Sequence, residues 1–278
     1  MTAILWALGA SFGWGTADYL AGMQARRSPV VVVVLASSLV GVLGIGAIVA
    51  LRGIGPPHGR ELVASLAAGG IGVVGVLAFY RALAIGAMSV VAPIAATSAA
   101  VPVLYGVVDG ERPALLQWIG MAIAIVGCTL AAREGPARLH AAQWGLSLGL
   151  AVCATLAIGA QLVSVGIASA YDPLWTILIA RIVVVTVFGV AALVTRPAFG
   201  EGNLRRLVVI GAIDAAANVS FAVATTTGLL GIVAVIGSTF PVITVALAHR
   251  RLGERLGRGQ RAGVVLALAG VVLITARV

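Results

Sequence analysis

The sequence predicts an all-α integral membrane protein: ten transmembrane helices arranged as two inverted five-helix repeats around a central cavity. Three observations lead to this prediction. The chain is 61% hydrophobic and 10% charged. Long apolar runs follow one another with only short polar breaks. A polar motif recurs at about half the chain length.

A soluble domain carries roughly 25% charged residues. At 10% charged and a mean hydropathy of +1.13, this chain cannot cover a water-facing surface, so lipid is its expected solvent. The formal net charge is +9, from 18 basic and 9 acidic residues. Every basic residue is Arg, which excludes Schiff-base lysines and lysine-dependent phosphate loops. The arginines fall mostly between apolar runs. That pattern suits lipid headgroups and topology control, and it lacks the contiguous basic footprint that nucleic acid requires. Cys128 and Cys153 each sit inside an apolar run and read as small buried hydrophobes. No metal and no cofactor is expected.

About 20 apolar residues cross a hydrocarbon core. Arg, Pro and Gly clusters divide the chain into runs at 4–20, 30–51, 62–83, 89–108, 115–132, 143–168, 174–194, 207–227, 232–248 and 259–276. The first run has no basic segment before it and holds Asp18 near its end, so it reads as a membrane helix, not a cleaved signal. The linkers are too short for a soluble domain. The runs are continuous and not alternating, which argues against spanning strands. Helices satisfy their own backbone groups, as lipid demands.

Gly110-Glu111-Arg112 precedes the fifth run and Gly253-Glu254-Arg255 precedes the tenth, 143 residues later. The match continues in register through Gln117/Gln260, Gly120/Gly263 and Gly127/Gly270. Two five-span units are therefore expected, 1–136 and 137–278. Five is odd, so the second unit enters the membrane from the opposite side, an architecture that recurs in transporters.

Phe79-Tyr80-Arg81-Ala82-Leu83, Gly86 and Ser89-Val90-Val91-Ala92-Pro93 resemble the helix 3–4 region of the drug/metabolite transporter superfamily, EamA type. Gly-Glu-Arg before the last helix of each half resembles it too, as do Asp214–Asn218 and Val235–Pro241. The resemblance covers nearly the whole chain. It implies ten helices, a central cavity lined by helices 1, 3, 4, 6, 8 and 9, and transport, often export, of amino acids, other metabolites or toxic compounds. It also implies cytoplasmic termini. The arginine count points the other way, with 13 in the odd-numbered loops and four in the even loops and C-terminal end. The positive-inside rule would place the odd loops in the cytoplasm.

Asp18 and Asp214 lie inside runs one and eight, where each costs roughly 2.5–3.5 kcal/mol at mid-membrane. Both are candidates for proton coupling or substrate contact. For Asp18 the rival is a place among the headgroups beside Arg26 and Arg27. For Asp214 the rival is a structural ion pair with Arg181, which cannot lose its proton. Asn218 follows Asp214 by one turn on the same face. Runs four and nine hold helix breakers, Pro93 and Pro102 in one, Gly237 and Pro241 in the other. Thr97, Ser98, Ser238 and Thr239 stand beside them as substrate-contact candidates. Interrupted helices at matching positions of two halves point to a midplane site. Trp14, Tyr80 and Gln161 complete the candidate lining, Gln161 standing opposite Asp18 at the 143-residue offset. Trp118, Trp144 and Trp175 sit at run starts and read as interfacial anchors.

Glu111 and Glu254 read as carboxylates at helix starts that satisfy free amides, with gating by Glu–Arg pairing as the alternative. Gly9-Ala10-Ser11-Phe12-Gly13 matches G-x-S-x-G, yet all three histidines lie in linkers or at run ends, and close helix packing is the expected role. No Walker A pattern occurs. The expected function is secondary transport of a small molecule, with lipid, and protons or another coupling ion, as further partners. The expected setting is a bacterial plasma membrane, the protein a monomer or homodimer. A non-transporting receptor or assembly protein and a membrane-embedded hydrolase are the rivals.

Overall fold

The computed structural model describes residues 1–25, 27–85, 91, 94–131, 141–197, 204–252 and 257–275. Within these, only the backbone is described at Tyr80, 83–85, 141–144, 245, 248–249, 252 and 275. The described residues are helical with short connections. α1 spans Thr2–Ala25, α2 Val30–Arg52 and α3 Gly59–Ile85. A 3-10 turn at Ala96–Ala99 leads into α4, Ala100–Val108. α5 spans Leu115–Ala131, α6 Ala141–Ser169, α7 Pro173–Thr195 and α8 Leu204–Thr227. The ninth apolar run is divided into α9, Leu230–Gly237, and α10, Phe240–Leu252. α11 spans Arg258–Thr275.

Five described stretches are long and apolar enough to cross a membrane on length and composition: Val30–Arg52, Gly59–Phe79, Gly145–Ser169, Pro173–Thr195 and Leu204–Thr227. Ala96–Val108, Leu115–Ala131 and Leu230–Thr244 are shorter apolar helices. Large aliphatic side chains cover the exterior. Leu43, Leu51, Leu193 and Leu204 are each more than 70% exposed. Such a surface belongs in lipid, and this is a multi-pass membrane protein.

With lipid outside, helices associate through close packing at small residues. α5 and α11 form the tightest seam. A Cβ on Gly120 would come within 2.9 Å of the Gly270 carbonyl and of the Ile274 amide. Gly127 meets the backbone of Ala267 and Gly263, Gly263 that of Ala131, and Gly270 that of Ala124. Early residues of one helix thus meet late residues of the other, so the two run antiparallel. α1 pairs with α8 in the same sense, Gly13 against Ala217 and Ala3 against Gly228. α3 pairs with α6 through Gly72 against Gln161 and Gly75 against Ile158. α2 packs on α7, and both α2–α8 and α3–α7 contacts tie these pairs together.

One end of the bundle gathers the connections before α3, α5, α7 and α9. Asp172 caps α7, accepting from the Trp175 amide at 2.9 Å, with Pro173 in the first turn. This is the favoured start of a helix. Its other oxygen meets Arg52 at 2.8 Å. Trp175 donates its ring N–H to the Ile54 carbonyl at 2.9 Å, and Tyr171 donates to that of Gly55 at 3.1 Å. The Trp175 ring therefore pins a loop at its helix start. Trp118 is exposed at the start of α5, and the Trp144 side chain lies outside the described residues. Cys128 is buried as expected, but Cys153 is exposed, because it falls on the outer face of α6.

Candidate functional site

A cluster of charged and polar groups inside the membrane helices is built from α1, α7, α8 and the junction of α9 with α10. Arg181, 8% exposed, extends from α7 over Gly41 of α2, where its stem takes the space of a side chain. It ends in an ion pair, Nη2 to Oδ2 of Asp214 on α8. Asn218, one turn on, donates its amide to the Asp214 carbonyl at 2.7 Å and to Oδ1 at 3.2 Å. Both Asp214 oxygens are therefore occupied, one by a guanidinium and one by an amide. The structural ion pair that was a rival reading for Asp214 is present.

Asp18 is in a different state. α1 continues to Ala25, so Asp18 lies about two turns inside the helix and not at its end. Gln24, buried, donates to Ser28 Oγ at 3.0 Å and fixes the exit instead. The Asp18 side chain is exposed and lies within electrostatic reach of Asp214.

Asp18 continues a face of α1 that carries other polar and aromatic groups. Ser11, Trp14 and Asp18 are spaced three and four residues apart, one helix face. Ser11 shares a hydrogen bond of 2.9 Å with Thr239. The Ser of the G-x-S-x-G match is thus engaged with the break of the ninth span, while Gly13 allows close approach to Ala217. The Trp14 ring lies against Gly237, 5.4 Å from the Phe221 centroid and edge-on to Phe240 at 6.3 Å.

The break between α9 and α10 follows from Pro241, which has no N–H for the carbonyl four residues back. Thr239 turns its hydroxyl onto the Ile236 carbonyl at 2.7 Å. In the fourth span Thr97 does the same to Ile94 at 2.6 Å, and Thr155 of α6 adds a second bond to Ile94 at 3.1 Å. Pro102 likewise removes the donor for the Ser98 carbonyl. Gly159 of α6 fits against that carbonyl, where a Cβ would come within 2.6 Å. Ser98, Ser238 and Thr239 are buried.

Gln161 lies on the α3–α6 contact, its amide filling the space over Gly72, and so stands apart from the Asp18 cluster. The Tyr80 side chain, Pro93 and the Gly253-Glu254-Arg255 motif lie outside the described residues.

Glu111 shows a contact that sequence spacing did not reveal. Its carboxylate caps a helix in the other half of the chain, not its own. It accepts from the Leu230 amide and, at 3.1 Å, from that of Gly231, at the start of α9. Gly106 and Gly231 leave the space it fills. Arg112 bonds backbone carbonyls instead, Glu111 O at 3.2 Å, so no Glu–Arg gate forms at this motif. Gly110 has φ +102°, the positive region that favours glycine. Beside this contact a cavity of about 300 Å³ is lined by Arg60, Glu61, Tyr105, Asp109, Glu111 and Thr225, among others. Thr225 is about 16 Å along α8 from Asp214, so this cavity is a mouth at the bundle's end. Removing a capping side chain costs about 0.5–2 kcal/mol. Glu111→Ala is expected to lower the thermal midpoint of the detergent-purified protein, while Glu111→Gln, which keeps one acceptor, falls between it and the parent. Equal midpoints for all three would refute the capping role.

The comparisons agree with this architecture. No curated relative matches the chain. A solved protein crystal structure superposes with a TM-score of 0.81, covering 98% of each chain at 15% identity, a likeness of fold alone. The model of the EamA-like transporter family matches residues 1–133 and 143–276. The chain therefore belongs to the EamA-like transporter family, within the drug/metabolite transporter superfamily.

Proposed function

We propose that this protein is a secondary transporter that moves a small metabolite, amino-acid-like or drug-like, across the membrane by alternating access between two inverted five-helix repeats. The carrying observation is the charged and polar cluster of Asp18, Asp214, Arg181 and Asn218 beside the broken ninth span. It joins α1 of one half to α7–α10 of the other. Charged groups inside a membrane mark substrate or ion pathways, and broken helices place such sites near the midplane.

Several observations support the repeat. The family model matches one segment in each half. Exchanging the halves converts the α3–α6 contact into α8–α1, and α3–α7 into α8–α2, while α2–α7, α5–α11 and α4–α9 map onto themselves. The antiparallel seam is made from residues related by the sequence repeat: Gly120 faces Ile274 as Gly263 faces Ala131. If α5 and α11 are equivalent helices and run oppositely, the units containing them are inverted. The Thr-to-Ile bonds at the two broken spans have the same form.

In this reading the bridge from Glu111 to α9 closes one mouth, and its opening accompanies one half-cycle. A gradient or substrate exchange drives the cycle, with export as the favoured direction and the plasma membrane of a bacterium as the setting. The arginine-rich end, with Arg27, Arg196, Arg205, Arg206, Arg250, Arg251, Arg258 and Arg261, faces the cytoplasm by the positive-inside rule.

The test is reconstitution into liposomes loaded with a fractionated metabolite extract, with lumenal content followed by mass spectrometry under an imposed ion gradient. At least one compound should leave protein-containing vesicles faster than empty ones, and Asp18→Asn should slow that release. Identical release from both kinds of vesicle, for every compound and gradient, would exclude transport.

A further inference from the structure

We infer that Asp18 and Trp14 form a recognition site for an organic ammonium group, so that the ligand carried is an amine or a quaternary cation. This deepens the transporter reading and depends on the Ser11, Trp14 and Asp18 face of α1 lining the ligand path.

The first observation is charge balance. Asp214 is matched by Arg181, with Asn218 taking its second oxygen. Asp18 has no hydrogen bond or ion pair among the described residues, and its neighbour within electrostatic reach is another carboxylate. The helices packed on α1 are α2, α8, α9 and α10. α9 carries no charge, and the charged side chains of α10, Arg250 and Arg251, are exposed in its last turn. On α2 the charge is Arg52, held by Asp172 at the opposite end of the bundle. On α8, Arg205 and Arg206 lie in the first turn, two turns before Asp214. Arg181 is committed to Asp214, so among the described residues Asp18 stands without a counter-charge. A carboxylate in such surroundings is expensive without a counter-charge, and a ligand cation supplies one.

The second observation selects the kind of cation. Trp14, one turn before Asp18 on the same face, is half-buried, and Phe221 and Phe240 hold its ring. An indole face beside a carboxylate attracts an ammonium through the ring quadrupole as well as the ion pair. Inorganic divalent cations want several oxygen ligands, which an aromatic wall does not offer. An anion would meet Asp18 with no free Arg beside it.

The fixed position of the ring adds to the case. Gly237 lets the indole lie against the end of α9, and the Ser11–Thr239 bond joins the same α1 face to the same break. A ligand seated on Trp14 therefore touches the segment where the ninth span is interrupted, and its arrival can be felt by both halves.

The experiment is isothermal titration of the full-length protein in detergent with four probes of one shape: 2-phenylethylamine, its N,N,N-trimethyl derivative, neutral 2-phenylethanol and anionic phenylacetate. The two cations should bind saturably, and the alcohol and the acid roughly tenfold or more weaker, the size of an ion pair with a cation–π contact. Asp18→Asn should cost the cations a similar factor, Asp18→Glu should restore binding, and Trp14→Leu should weaken cations more than the alcohol. Trp14→Leu and Asp18→Glu keep the test decisive if Asp18→Asn fails to fold. Equal affinity for all four probes, or cation binding unchanged by both Asp18→Asn and Trp14→Leu, would overturn the assignment. Binding in detergent needs no transport. Vesicles that release only neutral or anionic compounds while no cation binds overturn this inference alone. Cation binding without any release overturns the carrier reading alone.

Discussion

Arg181→Leu is expected to be the most damaging single substitution at the charged cluster, lowering stability by about 3 kcal/mol, the low end for a buried pair that loses one partner. The low end applies because the Asp214 side chain remains 30% exposed and can recruit water. Removing the guanidinium leaves a carboxylate in the membrane interior beside Asp18, with only the Asn218 amide to offset it. It also empties the slot over Gly41 that the Arg181 stem fills. The measurement is the thermal midpoint and the monodisperse fraction of the detergent-purified protein. A second variant separates charge from packing. Arg181→Leu combined with Asp214→Leu removes both charges, and replacing a buried pair by apolar residues is often neutral. The double variant should recover most of the lost stability while the protein no longer transports. If the single and double variants are equally unstable, the damage comes from lost packing on Gly41, and the ion pair is not what holds α7 to α8.

The Arg181–Asp214 pair was legible because both residues are costly in lipid and each is the other's available remedy. Asp18 was legible as a costly charge in the first run, but its depth within the helix was not. Its depth depends on α1 running on through Ala21-Gly22-Met23-Gln24, a segment whose weak apolar signal hides the last helical turn. Its exit is set by the Gln24–Ser28 bond, and hydropathy cannot report that. The broken ninth span could be read from Gly237 and Pro241, and its counterpart from Pro93 and Pro102. The shared Thr-to-Ile bonds emerged only with coordinates, although Ile94-x-x-Thr97 and Ile236-x-x-Thr239 are visible once sought. Glu111 was expected to satisfy amides at its own helix start, but the amides it caps lie about 120 residues away. Local pattern carries no information on such a contact. The available hints were Gly106 and Gly231, two glycines whose missing side chains make the room. Gln161 failed as a cavity residue for a related reason: the empty space over Gly72 of α3 draws its amide into a helix contact.

The second large effect is expected at the α5–α11 seam, where Gly127→Ala should cost about 3 kcal/mol, the upper part of the range for overpacking. The new methyl would meet Ala267 and Gly263 backbone atoms, and backbone cannot move aside as a flexible side chain can. The two helices would have to separate along their whole contact, giving up dispersion on both sides. Gly270→Ala, which meets the Ala124 and Gly120 backbone, is the repeat-related change and should cost a similar amount. The control is Gly44→Ala on α2, where a Cβ meets nothing within 4 Å. Ala is the better helix former by roughly 1 kcal/mol, so that variant should match or exceed the parent. The three thermal midpoints, measured in one detergent, order the outcome. Tolerance at Gly127 equal to that at Gly44 would mean that the seam opens at no cost, and it could not then hold the two halves together through the proposed cycle. A large loss at Gly127 and Gly270 with none at Gly44 would mark α5–α11 as a rigid edge, the one about which the proposed alternating access would turn. The moving contacts would then be those near Glu111, α9 and the polar face of α1.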